Sequence, residues 1–242
     1  MPVTGYDLKP LNVECVLDLP FSEGTGTLVH DIAKPHHVLT QEVPGGGSFN
    51  WGNLASGCPC LEFAPVGGGV ADGVYLRGLA ADTTDLDFTT GDYSIVGWFY
   101  WVPGVMSQML AGRYVLDNNG WELYLYDDPN YYLSIRHNHA GGTDTRSGAY
   151  SSGWAQNTWH FMGISRVGGG QAVFYRNGMP LPTTSALEDP ETCNQDFVMG
   201  ARFTKNSNWF SGMMGSRWRF WTKVLSDGDH RALYDEYKCM FN

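Results

Sequence analysis

Charge is scarce in this chain: only 17 % of its 242 residues are Asp, Glu, Lys or Arg. That excludes a charged disordered coil and a helical bundle laced with ion pairs. Cationic charge is scarcer still, and the net −10 excludes a nucleic-acid binder. Cysteine is sparse and odd in number, with Cys15, Cys58, Cys60, Cys193 and Cys239. A secreted disulfide scaffold shows an even, denser set, and Cys58-Pro59-Cys60 is too tight for the usual redox or zinc pair, so structural thiols are expected. No apolar run reaches the length of a membrane span. The opening Met-Pro-Val-Thr-Gly-Tyr-Asp has neither a basic region nor an apolar one, so it does not read as a secretory signal. No internal repeat and no linker composition divides the chain, which is read as one unit over 1–242.

What is abundant is glycine, at 31 residues, and aromatic side chains, at 14 %. Together they indicate many strands joined by glycine turns. Val13 to Leu19 alternates as a strand. Tyr93 to Trp101 is apolar or aromatic on both faces and should be an inner strand covered on both sides, with Ile95, Trp98 and Phe99 buried. Met109 to Tyr114, Trp121 to Tyr126 and Tyr131 to His137 form a meander through two Asp/Asn-rich turns. Thr158 to Ser165 and Gln171 to Arg176 form a hairpin, and Asn177-Gly178 suits a tight turn with positive φ. Ser226 with Asp229 three residues on marks the start of a terminal helix. Strands every 8 to 12 residues indicate a sandwich rather than βαβ units.

Several of these segments occur in a familiar order. Cys15-Val-Leu-Asp-Leu-Pro-Phe-Ser-Glu-Gly-Thr-Gly is followed by Phe88-Thr-Thr-Gly-Asp-Tyr-Ser-Ile-Val-Gly-Trp-Phe-Tyr, then by Trp159-His-Phe-Met-Gly-Ile-Ser and Tyr175-Arg-Asn-Gly. Phe210-Ser-Gly, Trp218-Arg-Phe-Trp and Leu225-Ser close the chain. The sequence resembles the laminin-G-like or concanavalin A-like jelly-roll domains. The resemblance implies an all-β fold: a two-sheet antiparallel jelly-roll sandwich with a short C-terminal helix. The stretch 34–74 exceeds what the family core needs and is expected to be a loop insertion on the rim.

Glucanases on this scaffold carry Glu-x-Asp-x-Glu or a one-residue expansion of it, because retaining hydrolysis needs two facing carboxylates. No such run is present, Glu122 stands alone on its strand, and Glu188 and Glu191 lie around Pro190. No Gly-x-Ser-x-Gly elbow is present either. The chain is expected to be non-enzymatic. The resemblance makes calcium an optional ion, with no other cofactor. Met213-Met-Gly-Ser stands where the family often has Asp, so the candidate ligands are Asp117, Asn118, Asp127 and Asp128 in the meander turns. Sugar binding needs an aromatic platform beside polar groups, and Tyr131, Tyr132, Tyr150, Trp154 and Trp209 lie in or near predicted loops.

Residues 202–242 carry a net +3 against −13 upstream. This asymmetry marks Arg217 and Arg219 as contacts for an acidic partner, with Phe49 and Trp51 as aromatic anchors in the 34–74 stretch. A fold usually found outside cells, on a chain without export signal or disulfide framework, leads to the expectation of a virion structural protein. It would be a decoration, tail or fibre-associated component of a phage-like virus, with glycan-adhesion capacity. Such a protein is assembled in the host cytoplasm and contacts other virion proteins, copies of itself, or a cell-surface glycan. The alternatives are a cellular extracellular carbohydrate-binding or adhesion module and, less favoured, a glycan-processing enzyme.

Overall fold

Alternation of apolar and polar residues, broken by glycine and Asx turns, produces two facing antiparallel sheets and one short helix. The computed structural model describes residues 6–67, 69, 72–127, 130–141, 146–182 and 186–241. In chain order the strands are β1 (Cys15–Leu19), β2 (Leu28–His30), β3 (Val38–Glu42), β4 (Ser48–Asn53), β5 (Pro59–Ala64), β6 (Tyr75–Gly78), β7 (Tyr93–Trp101) and β8 (Ser107–Val115). They continue as β9 (Asn119–Tyr126), β10 (Tyr132–Asn138), β11 (Arg146–Ser151), β12 (Trp159–Arg166), β13 (Ala172–Arg176), β14 (Met179–Pro180), β15 (Phe197–Met199) and β16 (Gly212–Trp221). The helix α1 spans Asp227–Tyr237.

Sheet A has the order β14-β13-β12-β7-β16-β5-β4, with β1 also paired to β16. Sheet B has the order β11-β10-β9-β8-β15-β6-β3-β2. Between them lies one apolar layer, with Ile95, Phe99, Trp101 and Trp218 from sheet A facing Trp121, Leu123, Leu125, Leu133 and Ile135 from sheet B. The central strand β7 is covered on both faces, as its unbroken apolar run predicts, and Ile95, Trp98 and Phe99 are all buried. Gly97 sits in the middle of this strand because Trp218 lies against it. A Cβ there would come within 2.4 Å of the indole.

The stretch 34–74 is not a loop insertion. It supplies β3 to sheet B and β4 and β5 to sheet A. The reason is its own alternation: Leu39, Leu61 and Phe63 are fully buried and fill the space between the sheets.

The outer face of sheet A is closed. Cys15, Val96, Trp98, Phe161 and Trp221 form a second apolar layer with Leu225, Leu233 and Phe241 of the C-terminal segment. Tyr6 and Leu11 of the N-terminal segment pack against it. The helix starts on a complete capping box. The Ser226 hydroxyl accepts from the Asp229 amide, and the Asp229 carboxylate accepts from the Ser226 amide. Asn177 and Gly178, at φ 52° and 74°, turn the chain between β13 and β14 beneath that helix, where Tyr234 leaves no room for a side chain at residue 178.

Candidate functional site

The outer face of sheet B is where side chains remain available, and strand alternation decides which ones. On β9, Trp121, Leu123 and Leu125 point inward, so Glu122, Tyr124 and Tyr126 point outward. On β10, Leu133 and Ile135 point inward, so Tyr132, Ser134 and Arg136 point outward. The register then sets rows across the sheet. Tyr126 pairs with Tyr132, Tyr124 with Ser134, and Ser134 with Tyr150 of β11. A small residue between two tyrosines leaves a hollow, and Ser134 is its floor. The cleft measures about 310 Å³ and is lined by Tyr124, Tyr126, Tyr132, Ser134 and Tyr150.

The walls are held by their neighbours. Tyr132 meets Tyr150 edge-on, with centroids 5.2 Å apart at 85°. Asn130 Nδ2 donates to the Tyr132 hydroxyl at 3.0 Å. The Arg136 guanidinium lies 4.7 Å from the Tyr124 ring centroid. Arg136 also donates through Nε to Glu122 at 2.7 Å. Glu122 is only 2 % exposed. Its carboxylate is held by this pair beside the cleft. Ring faces, phenol hydroxyls and a serine hydroxyl in one shallow hollow can stack on the C–H face of a sugar and hydrogen-bond its hydroxyls.

The structure sorts the aromatic candidates. Tyr132 and Tyr150 line the cleft. Trp154 does not: it is fully buried, donates to Ser151 Oγ at 2.8 Å, and packs against Phe99 and His160. Trp209 is 1 % exposed, stacks on Tyr75 and donates to the Gly69 carbonyl at 3.0 Å. Tyr131, at φ 49°, is half-buried and turns edge-on to Trp101. Tyr124, Tyr126 and Ser134 are strand residues and so lie outside the loop aromatics that the sequence singles out. Their signal was present: Leu123-Tyr124-Leu125-Tyr126 alternates leucine inward and tyrosine outward.

The described calcium candidates do not converge. Asp117 and Asn118 lie in the turn before β9 and Asp127 follows its end. An eight-residue strand separates them by roughly 26 Å. The Asp127 carboxylate accepts from Gln156 Nε2 at 3.0 Å, and the Asp117 amide donates to Asn138 Oδ1 at 3.1 Å. Asp128 lies outside the described residues. Among the described residues no three His, Cys, Asp or Glu side chains form a metal-holding group.

The expected partner contacts also fall elsewhere. Arg217 and Arg219 point onto the outer face of sheet A and close on Asp18, which is fully buried. Arg217 Nε lies 3.0 Å from Asp18, and Tyr6 donates to the same carboxylate. Arg219 is only 2 % exposed. These two arginines of the basic C-terminal stretch are therefore spent on an internal acid, which sequence charge counts do not see. Phe49 packs edge-on to Phe63 at 4.9 Å, and Trp51 Nε1 donates to the Gly26 carbonyl at 2.9 Å. Both are half-buried members of β4.

Two buried histidines resemble catalytic groups without access to a substrate. His230, on the buried side of α1, places Nε2 2.8 Å from Ser165 Oγ of β12, and both residues are buried. Burial pushes the His230 pKa down to about 3, against the weaker opposite pull of Asp229 and Asp227. His137 accepts from the Tyr93 hydroxyl at 3.0 Å and donates through Nδ1 to the Glu188 carbonyl at 2.6 Å. Its pKa is likewise pushed to about 3, chiefly by burial. Both are held neutral as packing elements. All five cysteines are free thiols, four of them buried.

The family whose model matches residues 77–229 is described as the concanavalin A-like lectin/glucanases superfamily. No curated protein sequence matches this chain. Among solved structures the chain is similar to botulinum neurotoxin type C, which interacts with two ganglioside molecules, at TM-score 0.67 and 14 % identity, over 95 % of this chain and 53 % of that one. It is similar to the binding domain of botulinum neurotoxin DC in complex with rat synaptotagmin II, at TM-score 0.65 and 16 % identity, over 93 % and 52 %. The same binding domain in complex with SialylT matches at TM-score 0.65 and 16 % identity, over 93 % and 51 %. The chain thus spans about half the length of the structures it matches.

Proposed function

The chain belongs to the concanavalin A-like lectin/glucanase superfamily, and from that premise we propose that it is a non-enzymatic glycan-binding module. The observation that carries this reading is the cleft of Tyr124, Tyr126, Tyr132 and Tyr150 around Ser134. Tyrosine offers a stacking face and a hydroxyl at little cost in side-chain entropy, which is what recognition of a weakly apolar, hydroxyl-rich ligand requires. The similar toxin structures involve ganglioside, SialylT and synaptotagmin II. In those proteins, therefore, recognition of both glycan and protein ligands is in view. The sealing of Glu122 by Arg136 supports binding without hydrolysis.

The test is a glycan array followed by calorimetric titration of its best oligosaccharide against wild type, Tyr132→Ala and Tyr150→Ala. Binding lost in both variants, with unchanged melting temperature, is the expected result. Binding that survives both substitutions, or an array without any signal, would overturn the reading. Titration in EDTA is expected to give the same affinity, because the described calcium candidates do not meet.

The proposed setting is the surface of a phage-like particle, assembled in a host cytoplasm. Its support is the pairing of an adhesion-type fold with five unbridged thiols. Mass spectrometry of purified particles tests this; a chain recovered only outside particles would favour the cellular adhesion module instead.

A further inference from the structure

Two more hollows continue the tyrosine cleft, one at each end, and each shares a tyrosine with it. Beyond Tyr124 lies a hollow of about 220 Å³ lined by Glu122, Arg136, Arg202 and Asn208, among others. Beyond Tyr150 lies a hollow of about 290 Å³ lined by Ser152, Arg176, Leu181 and Pro182, among others. The three form one path across β8, β9, β10 and β11 and around the sandwich edge to β13.

The arginines at the two ends differ from the other arginines whose side chains are described. Arg77, Arg113, Arg136, Arg166, Arg217, Arg219 and Arg231 each have a carboxylate partner within 4.0 Å. Arg202 and Arg176 have no carboxylate partner among the described residues. Arg202 lies over its neighbour Phe203, 5.7 Å from the ring centroid. Its backbone is fixed by bonds to Ser207 and Lys205 in a tight loop. The adjacent Lys205 is taken up by Asp196. Arg176 donates to the Ser152 and Gly153 carbonyls at 3.1 and 2.6 Å and covers Trp154. Both guanidiniums are half-exposed at the walls of their hollows. In a chain of net charge −10, two arginines left without acids at the two ends of one groove make a local exception.

We propose that the groove takes an acidic oligosaccharide with more than one anionic sugar. Its central rings would lie on the tyrosine cleft, and its anionic groups would reach Arg202 at one end and Arg176 at the other. This rests on the glycan-binding reading and names the class of glycan. Three strand spacings alone cover roughly 14 Å, so the path is longer than one sugar ring and suits a chain. A guanidinium fork matches a planar carboxylate in two parallel hydrogen bonds, and charge-assisted bonds are the strong ones.

The test uses three probes: a hexasaccharide with a uronic acid on every second sugar, sialyllactose with one terminal acid, and a neutral cellohexaose. Each is titrated at low and high salt into wild type, Arg202→Gln, Arg202→Lys and Tyr150→Ala, with a thermal melt of every variant. The uronic hexasaccharide should bind roughly tenfold more tightly than sialyllactose, and its advantage should shrink as salt rises. Arg202→Gln should remove most of that advantage without lowering the melting temperature. Arg202→Lys should restore part of it, and Tyr150→Ala should weaken all three probes. If cellohexaose binds as well as the acidic chain and Arg202→Gln changes nothing, the acidic-glycan inference fails while the glycan reading stands. If no probe binds wild type, the acidic-glycan inference fails, and the glycan array alone decides the glycan reading. If sialyllactose matches the hexasaccharide, the two-ended groove is wrong.

Discussion

On the outer face of sheet A, β7 turns Val96 and Trp98 outward and meets Phe161, Tyr234 and Phe241. On the outer face of sheet B, β9 turns Tyr124 and Tyr126 outward and leaves them half-exposed around a hollow. Both strands alternate with the same period, and both outward rows carry aromatic side chains. The difference is what the chain places on top. The N-terminal segment, α1 and Phe241 close one face, while the other carries residues with a hydroxyl beside each ring. Aromatic content alone therefore does not mark a binding face. The tyrosine-for-tryptophan choice on the outward row does, because a phenol tolerates water at its rim while Trp98 is buried under the C-terminal segment.

The largest test of this contrast is truncation on the closed face. Trp98 is 4 % exposed and stacks on Phe241 with centroids 4.1 Å apart. Trp98→Ala is expected to cost about 3 to 5 kcal/mol in urea unfolding, because the helix and Phe241 lose the surface they pack on. A change under about 1 kcal/mol, the size seen at surface positions, would mean that the face is not closed in solution.

Next in size is the acid at the centre of that face. Asp18 holds Arg217, Arg219 and Tyr6 together while fully buried. Asp18→Asn should cost about 3 kcal/mol, since it leaves two guanidiniums facing an amide. Reversal of Arg217 and Arg219 to Glu should likewise appear as lost stability. If the reversed protein instead melts like wild type and loses only a partner, those arginines are contacts after all.

Acid should act on that face through His230 and on the layer between the sheets through His137. His230 and His137 are held neutral, with pKa values near 3 against about 6.5 when unfolded. A base with a lowered folded pKa gives stability that is complete above the unfolded value and lost as pH falls toward the folded one. Between those values the unfolded chain binds the extra proton. At pH 5 this amounts to about 2 kcal/mol for each histidine. Urea midpoints should fall from pH 7 to pH 4, and His230→Gln should flatten that slope by about one proton. An unchanged slope would mean that His230 is already protonated or solvated in the folded state.

Much of the fold was legible because it depends on local alternation and turn chemistry. The both-sided apolar run of β7, the Asn177-Gly178 turn and the Ser226–Asp229 box all behave as their residues require. Legibility ended where long-range pairing decides the outcome. Glycine and proline made 34–74 look like a loop, yet Leu39, Leu61 and Phe63 carry it into both sheets. The acid that neutralises Arg217 lies 199 positions away, so a count of C-terminal charge could not find it. The site was half legible. Tyr132 and Tyr150 were named, but Trp154 and Trp209 were placed outside when their indole N–H groups had already found internal acceptors.

The smallest expected change in stability belongs to the open face, and it is the sharpest test of the contrast. Tyr150 is 51 % exposed, and its described ring contact is the edge of Tyr132. Removing the ring uncovers little apolar surface that water does not already reach. Tyr150→Ala should therefore shift unfolding free energy by no more than about 0.5 kcal/mol. The same substitution removes the wall shared by the central cleft and the Arg176 hollow, so glycan affinity should fall by roughly tenfold or more while the fold is untouched. A residue kept for packing would show the reverse pattern, with stability lost and affinity following it in proportion. Measuring both quantities on one protein sample separates the two. A loss of several kcal/mol at Tyr150 would place the open face alongside the closed one as structure, and the tyrosine cleft would lose its claim to be the site.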